Sequence, residues 1–204
     1  MIRCDKDADL WTLTIDRPDK AGALTADMLN ALADHAAAAQ EAKAVILTGT
    51  GKVFSAGADL DAAKAGLATD PAWERLSGAV AALPGLTIAA LNGTVAGGAF
   101  GMMLACDLRI AVPSAKFFYP VMKLGFLPQP SDPVRLTRLA GASRSKMILM
   151  AGQKVTAEDA LAWGLVDEIV EANALMGRAR ELAADVLKAD LGHVAAIKHM
   201  ADLD

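Results

Sequence analysis

The sequence predicts an α/β fold in a single domain spanning residues 1–204. Short β-rich runs bounded by Gly or Pro alternate with stretches of helical periodicity, which is typical of this class. Apolar residues make up 54% of the chain and charged residues 22%, enough to bury a core and to exclude a disordered protein. The length also favours one domain over two.

In the first half, three segments have the alternating or β-rich pattern of strands: Leu10–Ile15, residues 44–47 and Leu86–Leu91. Thr25 precedes a periodic apolar stretch and is the predicted N-cap of a helix that ends near residue 40. A second helix is predicted over residues 71–83. A helix rich in small residues is predicted to begin near Gly97.

The second half is mostly helical by pattern. Strands are predicted at residues 108–112 and 165–170, and helices at residues 133–140, 143–151, 156–162 and 174–188. We therefore expect the C-terminal part of the domain, from about residue 143, to be helical.

Charge and cysteine content exclude several classes of function. A net charge of −4 provides no basic surface for nucleic acid, and two cysteines cannot form a disulfide framework or a metal motif. Residues 76–106 carry no charge, but glycines and a proline interrupt them, so we expect a buried strand, turn and helix rather than a membrane span. The N-terminus has no secretory signal pattern, and the expected location is the reducing cytoplasm.

Two Gly-containing loops follow predicted buried strands, at residues 54–60 and 92–101. The glycines near the first loop do not fit a nucleotide motif. A P-loop would need Gly in place of Leu47 and Ser or Thr in place of Val53, and a dinucleotide fingerprint would need Gly in place of Phe54. If the helix that follows the second loop begins at the glycine pair, the amides of Gly97 and Gly98 are unpaired. Two such loops meeting in space could offer two N–H groups to one oxygen, as an oxyanion hole does. The alternative is that the glycines serve only close packing of helix on strand.

Five segments in order along most of the chain resemble the crotonase (enoyl-CoA hydratase/isomerase) superfamily. They are residues 17–24 (RPDKAGAL), 45–60 (VILTGTGKVFSAGADL), 92–111, 117–125 and 160–167 (ALAWGLVD). The resemblance implies a spiral of ββα turns and a homo-oligomer, either a trimer or a hexamer. It implies an acyl-CoA thioester as substrate, with no separate cofactor and no metal.

The resemblance also assigns roles to individual residues. The backbone N–H groups of Ala58 and Gly98 would donate to the thioester carbonyl and stabilise an enolate. The residues implied to lie against coenzyme A are Lys20, Ala56, Gly57, Asp59, Leu60 and Gly97, with Lys20 near the phosphates or adenine. Asp59 is expected to brace its loop rather than to abstract a proton.

The sequence departs from the family at the positions of both usual catalytic glutamates. The first glutamate is expected three residues after Gly98, where this sequence has Gly101. The second is expected directly after Pro120, where this sequence has Val121. Neither residue can carry a proton, so strong hydratase activity is not expected. The family's Asn is replaced by Gly22, and the C-terminal helices are expected to be shorter than usual, since the sequence ends soon after Lys198.

Asp132 and Tyr119 are the candidates for an alternative proton-transfer group. Asp132 also suits the N-cap of a helix with Pro133 at its first position, and Tyr119 could simply fill space. Gln129 is a further candidate to hydrogen-bond substrate.

The leading hypothesis is therefore an acyl-CoA enzyme that stabilises a thioester enolate and carries out isomerisation or decarboxylation. The alternative is a non-catalytic acyl-CoA-binding or scaffolding protein of the same fold.

Overall fold

The computed structural model describes residues 1–202. Its strands are β1 (Ile2–Asp7), β2 (Leu10–Ile15), β3 (Ala44–Gly49), β4 (Val53–Ser55), β5 (Leu86–Leu91), β6 (Thr94–Ala96), β7 (Leu108–Ala111), β8 (Lys116–Phe118), β9 (Val155–Thr156) and β10 (Glu168–Ile169). Its α-helices are α1 (Ala26–Ala38), α2 (Leu60–Lys64), α3 (Ala72–Ala81), α4 (Ala99–Leu104), α5 (Val121–Leu124), α6 (Asp132–Ala140), α7 (Ala142–Leu149), α8 (Ala157–Ala162), α9 (Leu175–Lys188) and α10 (Leu191–Ala201).

The strands form two sheets. The larger sheet has the order β1-β2-β3-β5-β7-β10, and the smaller has the order β4-β6-β8-β9. Pairing is parallel except between β1 and β2 and between β8 and β9. Three times in succession the chain runs through a strand of the larger sheet, a short strand of the smaller sheet and then a helix, which produces a spiral of ββα turns.

The parallel strands β3 and β5 are almost continuously apolar because helices and the smaller sheet cover both of their faces. Many buried core residues are alanines, and their small side chains let helices and strands approach closely. This packing fixes the carboxyl ends of the strands, where the two Gly-containing loops begin.

Several predicted elements are confirmed. Strands β2 and β5 have the predicted bounds, and the Thr25 hydroxyl accepts a hydrogen bond from the Met28 N–H as the N-cap of α1. The helix predicted to begin near Gly97 begins instead at Ala99, because Gly97 has a positive φ of 57° that a right-handed helix excludes. The strand predicted over residues 165–170 is reduced to β10.

Across residues 1–202, no helix combines the length and the apolar character needed to cross a lipid bilayer.

The Asn92 side chain ties the chain between β3 and β4 to the end of β5. Its Oδ1 accepts a hydrogen bond from the Gly49 N–H at 2.9 Å, and its Nδ2 donates to the carbonyl oxygens of Gly51 and Val53 at 3.0 and 3.2 Å. These bonds set the path of the chain into the first of the two loops.

We expect Asn92→Ala to lower the free energy of unfolding by about 1–3 kcal/mol, because three backbone groups lose their partner. Urea denaturation followed by circular dichroism measures this loss. Asn173→Ala is the matched control, since Asn173 is exposed. Equal stability of the two variants would show that the Asn92 bonds do not hold the loop.

Candidate active site

The two Gly-containing loops touch each other through their backbones. Gly57 has a positive φ of 85°, and a Cβ there would lie 2.8 Å from the Ala96 carbonyl oxygen and 3.5 Å from the Gly97 Cα. A side chain at position 57 would therefore force the loops apart. Glycine is required at this contact by both the conformation and the space.

The loop around Gly57 is also held from its other side by the segment that precedes α1. The Ala56 N–H donates to the Ala21 carbonyl at 3.0 Å, the Leu24 N–H donates to the Gly57 carbonyl at 2.8 Å, and the Asp59 N–H donates to the Leu24 carbonyl at 2.8 Å. The Gly57 N–H donates to the Ser55 hydroxyl at 3.2 Å, so the amides on both sides of Ala58 are used to fix the shape of the loop.

Gly22 explains one departure from the family pattern. Its φ is 66°, and a Cβ would lie 2.6 Å from the Phe54 carbonyl oxygen, so this chain has no space for an asparagine side chain there. Lys20 lies in the adjacent 3-10 turn, Pro18–Lys20, and its side chain is exposed. The next residue, Ala21, accepts the hydrogen bond from the Ala56 N–H, so this turn lies beside the first loop.

Among the hydrogen bonds within residues 1–202, neither the Ala58 N–H nor the Gly98 N–H has an acceptor. The expectation that Gly97 also has an unpaired amide is wrong, because its N–H donates to the Phe118 carbonyl at 3.1 Å. The Trp73 indole lies over Gly98, and a Cβ at that residue would lie 2.8 Å from the ring. Glycine is therefore required at position 98 by the close packing of the Trp73 ring.

Ala58 and Gly98, the residues that carry the unpaired amides, both line one pocket of about 190 Å³. The first loop contributes Ala56, Ala58 and Leu60, the second contributes Gly97 and Gly98, and the remaining walls include Trp73, Tyr119, Pro120, Val121, Leu124 and Leu127. Larger cavities of about 530 and about 690 Å³ lie against α10, away from both loops. The pocket at the loops is the candidate site because it combines apolar walls with unpaired donors.

Asp59 holds the end of the first loop. Its carboxylate accepts hydrogen bonds from the Asp61 and Ala62 N–H groups as the N-cap of α2, and it pairs with the Arg17 guanidinium at 3.0 Å. The bond from the Ala62 N–H, followed by that from Asp61 and by Arg17, holds the pKa of Asp59 below its ordinary value. This carboxylate braces the backbone beside Ala58.

The Asp132 side chain is not the helix cap that the sequence suggested. The N-cap of α6 is Ser131, and Asp132 is the first residue of the helix, with its side chain fully buried. The Tyr119 hydroxyl donates a hydrogen bond to Asp132 Oδ2 at 2.9 Å, while Oδ1 has no partner among the described residues. A tertiary contact has therefore replaced the local capping role.

The Asp132 carboxyl lies against the first turn of α4. A Cβ at Gly101 would be only 3.0 Å from Asp132 Oδ1. The space that a side chain at position 101 would occupy is thus occupied by a carboxyl group from another helix. Gly101 has no side chain, but the Asp132 carboxyl lies next to it.

Burial raises the pKa of Asp132 from 3.8 to about 7, because desolvation disfavours its ionised form. The Tyr119 hydrogen bond and the Arg135 charge oppose this rise, and the Glu74 charge adds to it. Burial and the neighbouring Asp132 carboxylate raise the pKa of Tyr119 far above its ordinary value. At neutral pH the phenol therefore keeps its proton, while the carboxyl group can gain or lose one.

Tyr119 is more than a space-filling residue. Its hydroxyl oxygen also accepts a hydrogen bond from the Gln129 N–H at 3.3 Å, and its ring packs 5.3 Å from that of Phe100. The Gln129 side chain is buried and donates to the Ala68 carbonyl at 3.4 Å, so it stabilises the surrounding chain.

Sequence reasoning missed Trp73 and Glu74, since both lie on α3 and no motif or spacing connects them with the loops.

The buried Asp132 carboxyl should make stability depend on pH. The unfolded chain ionises this group near pH 3.8 and the folded chain near pH 7, so its contribution to the free energy of unfolding falls by up to about 4 kcal/mol as pH rises between these values. We expect Asp132→Asn to remove this fall, which urea denaturation at pH 5 and pH 8 measures. A parallel pH dependence in wild type and variant would show that Asp132 ionises normally.

The chain is similar in sequence and in structure to known proteins of one family. The family profile described as enoyl-CoA hydratase/isomerase matches residues 5–203. A short-chain-enoyl-CoA hydratase of Clostridium acetobutylicum is 34% identical in an alignment 197 positions long, which covers 90% of this chain and 74% of the relative. A carnitinyl-CoA dehydratase of Salmonella arizonae is 34% identical in an alignment 209 positions long, which covers 98% of this chain and 79% of the relative. The crystal structure of an enoyl-CoA hydratase/isomerase from Pseudoalteromonas atlantica has a TM-score of 0.90 and 28% identity, covering 98% of this chain and 82% of that one.

Proposed function

The chain belongs to the enoyl-CoA hydratase/isomerase family, and we propose that it binds an acyl-CoA thioester and stabilises its enolate. The observation that carries this proposal is the pair of unpaired amides, on Ala58 and Gly98, at one apolar pocket. A thioester enolate is too unstable to form free near neutral pH. Two aligned donors in a dry site lower its energy, and each is typically worth about 3 kcal/mol.

In this proposal coenzyme A lies along the first loop, at Ala56, Gly57, Asp59 and Leu60, with Gly97 beside it. The exposed Lys20 ammonium would meet the phosphates or adenine. The acyl chain would enter the pocket between Trp73 and the apolar residues of α5. Because no charged side chain among the described residues lines this pocket, an uncharged acyl group fits it best.

Proton transfer is assigned to the pair formed by Tyr119 and Asp132. Tyr119 is the one titratable side chain among the described residues that line the pocket, and its hydroxyl already donates to the Asp132 carboxylate. The phenol oxygen can take a proton from the substrate's C2 while its own proton passes to Asp132. Reversal of the two transfers returns a proton at C4, which moves the double bond without any other acid or base.

This single relay favours isomerisation of a 3-enoyl thioester over hydration. Addition of water in the family uses two glutamates, and the corresponding positions here are Gly101 and Val121. Decarboxylation of a malonyl-type thioester needs only the final protonation and is the competing reaction. We also propose that the protein assembles as a trimer or hexamer, as the resemblance implies, and light scattering measures this assembly. The proposed location is the cytoplasm, which follows from the cysteine content.

A binding protein without catalysis is the second candidate. The supporting observation is the same apolar lining, because no carboxylate or imidazole of the described chain reaches the pocket surface directly. Such a protein would bind acyl-CoA and leave it unchanged.

We expect purified protein to convert a 3-enoyl-CoA to the 2-enoyl-CoA, with kcat/KM rising with pH to a plateau above about pH 7 as Asp132 ionises. Asp132→Asn and Tyr119→Phe should each reduce kcat by about 10²–10⁴-fold while the Kd of a saturated acyl-CoA stays unchanged. The matched control is Asp27→Asn, an exposed aspartate in the first turn of α1.

The outcomes separate the candidate functions. Release of CO₂ from malonyl-CoA, with a rate that falls above about pH 7, would replace isomerisation by decarboxylation, because that reaction needs protonated Asp132. Acyl-CoA binding without turnover in either assay would favour the binding protein. Absence of acyl-CoA binding would overturn the proposal as a whole.

A further inference from the structure

Glu74 on α3 contacts the residue that immediately precedes Asp132. Its Oε2 accepts hydrogen bonds from the Ser131 N–H at 3.3 Å and from the Ser131 hydroxyl at 3.1 Å. Ser131 is the N-cap of α6, where backbone N–H groups lack partners within the helix. Glu74 therefore fixes the first turn of α6 against α3, and this turn carries the Asp132 carboxyl.

The charged and titratable groups that act on Asp132 come from three directions. Tyr119 follows β8 and donates a hydrogen bond to the carboxylate, Arg135 lies one turn further along α6, and Glu74 approaches from α3. Helix α4 presents only Gly101, which has no side chain. Glu74 is thus the one negative charge among these neighbours.

Glu74 is half-buried, so water screens its charge only in part. A nearby negative charge favours the neutral form of a carboxyl group, and burial of Asp132 acts in the same direction. The proton-transfer pair of the proposed function needs a carboxyl group that exchanges its proton near neutral pH.

We propose that Glu74 is a positioning residue for the Asp132–Tyr119 pair, which it serves by anchoring Ser131 and by placing a negative charge beside the Asp132 carboxyl. This role rests on the proposed function for its catalytic meaning. Glu74 itself does not line the pocket. It acts through Asp132, whose proton it helps to retain.

The protein offers a direct probe, because Tyr119 is its only tyrosine. Full-length protein labelled with ¹³C at the tyrosine Cζ gives one resonance. Because the Tyr119 hydroxyl donates to Asp132, this resonance reports whether the Asp132 carboxyl is charged. We expect a titration with a midpoint near pH 7 in the wild type. Asp132→Asn should abolish this titration.

Glu74→Gln keeps an oxygen acceptor for Ser131 but removes the charge. We expect the midpoint to fall by about 1 pH unit, because one neighbouring negative charge is lost. The pH profile of kcat/KM should shift by the same amount, while KM on the high-pH plateau stays unchanged. Glu158→Gln is the matched control, since Glu158 is exposed in the first turn of α8.

A second variant keeps the test informative if Glu74→Gln folds poorly. Glu74→Asp retains the negative charge on a side chain that is shorter by one methylene, so the charge lies further from the Asp132 carboxyl. The midpoint should therefore fall by less than in Glu74→Gln. A midpoint unchanged in both Glu74 variants, with the titration still lost in Asp132→Asn, would overturn the role of Glu74 alone. Full isomerase activity in Asp132→Asn would instead overturn the proposed function.

Discussion

The contact between Gly57 and Gly97 is the constraint on which the site depends. Each glycine lies within one ββα step of the spiral, between its short second strand and its helix, and no side chain separates the two backbones. Their close approach places the next residue of each loop, Ala58 and Gly98, at the same pocket with its N–H unpaired. The parallel strands behind the loops are buried, and the backbone contact between the loops fixes the position of one amide relative to the other.

A buried carboxyl group is the second feature of the site. Isolated acidic groups in apolar surroundings keep their proton unless partners compensate for lost hydration. Asp132 has one strong partner, Tyr119, and one oxygen without any partner among the described residues. The absence of a side chain at Gly101 leaves the space that this carboxyl group occupies. An acidic group from α6 is therefore present where α4 supplies none.

The sequence predicted the fold well where patterns are long or local. The crotonase-like α/β fold is confirmed, as are β2, β5 and the Thr25 cap. The strands of the smaller sheet have two or three residues each, too few for a periodic pattern. The capping role suggested for Asp132 followed a sound local rule that a contact with residue 119 overrides. The Glu74–Ser131 contact joins residues 57 positions apart, and no local rule could predict it.

A crystal structure with a saturated acyl-CoA such as hexanoyl-CoA tests the central claim most directly. We expect the thioester carbonyl oxygen to lie about 3 Å from the backbone nitrogens of both Ala58 and Gly98, with the Tyr119 hydroxyl facing the acyl carbons. A carbonyl oxygen bound elsewhere, or nitrogens that point in divergent directions, would contradict it.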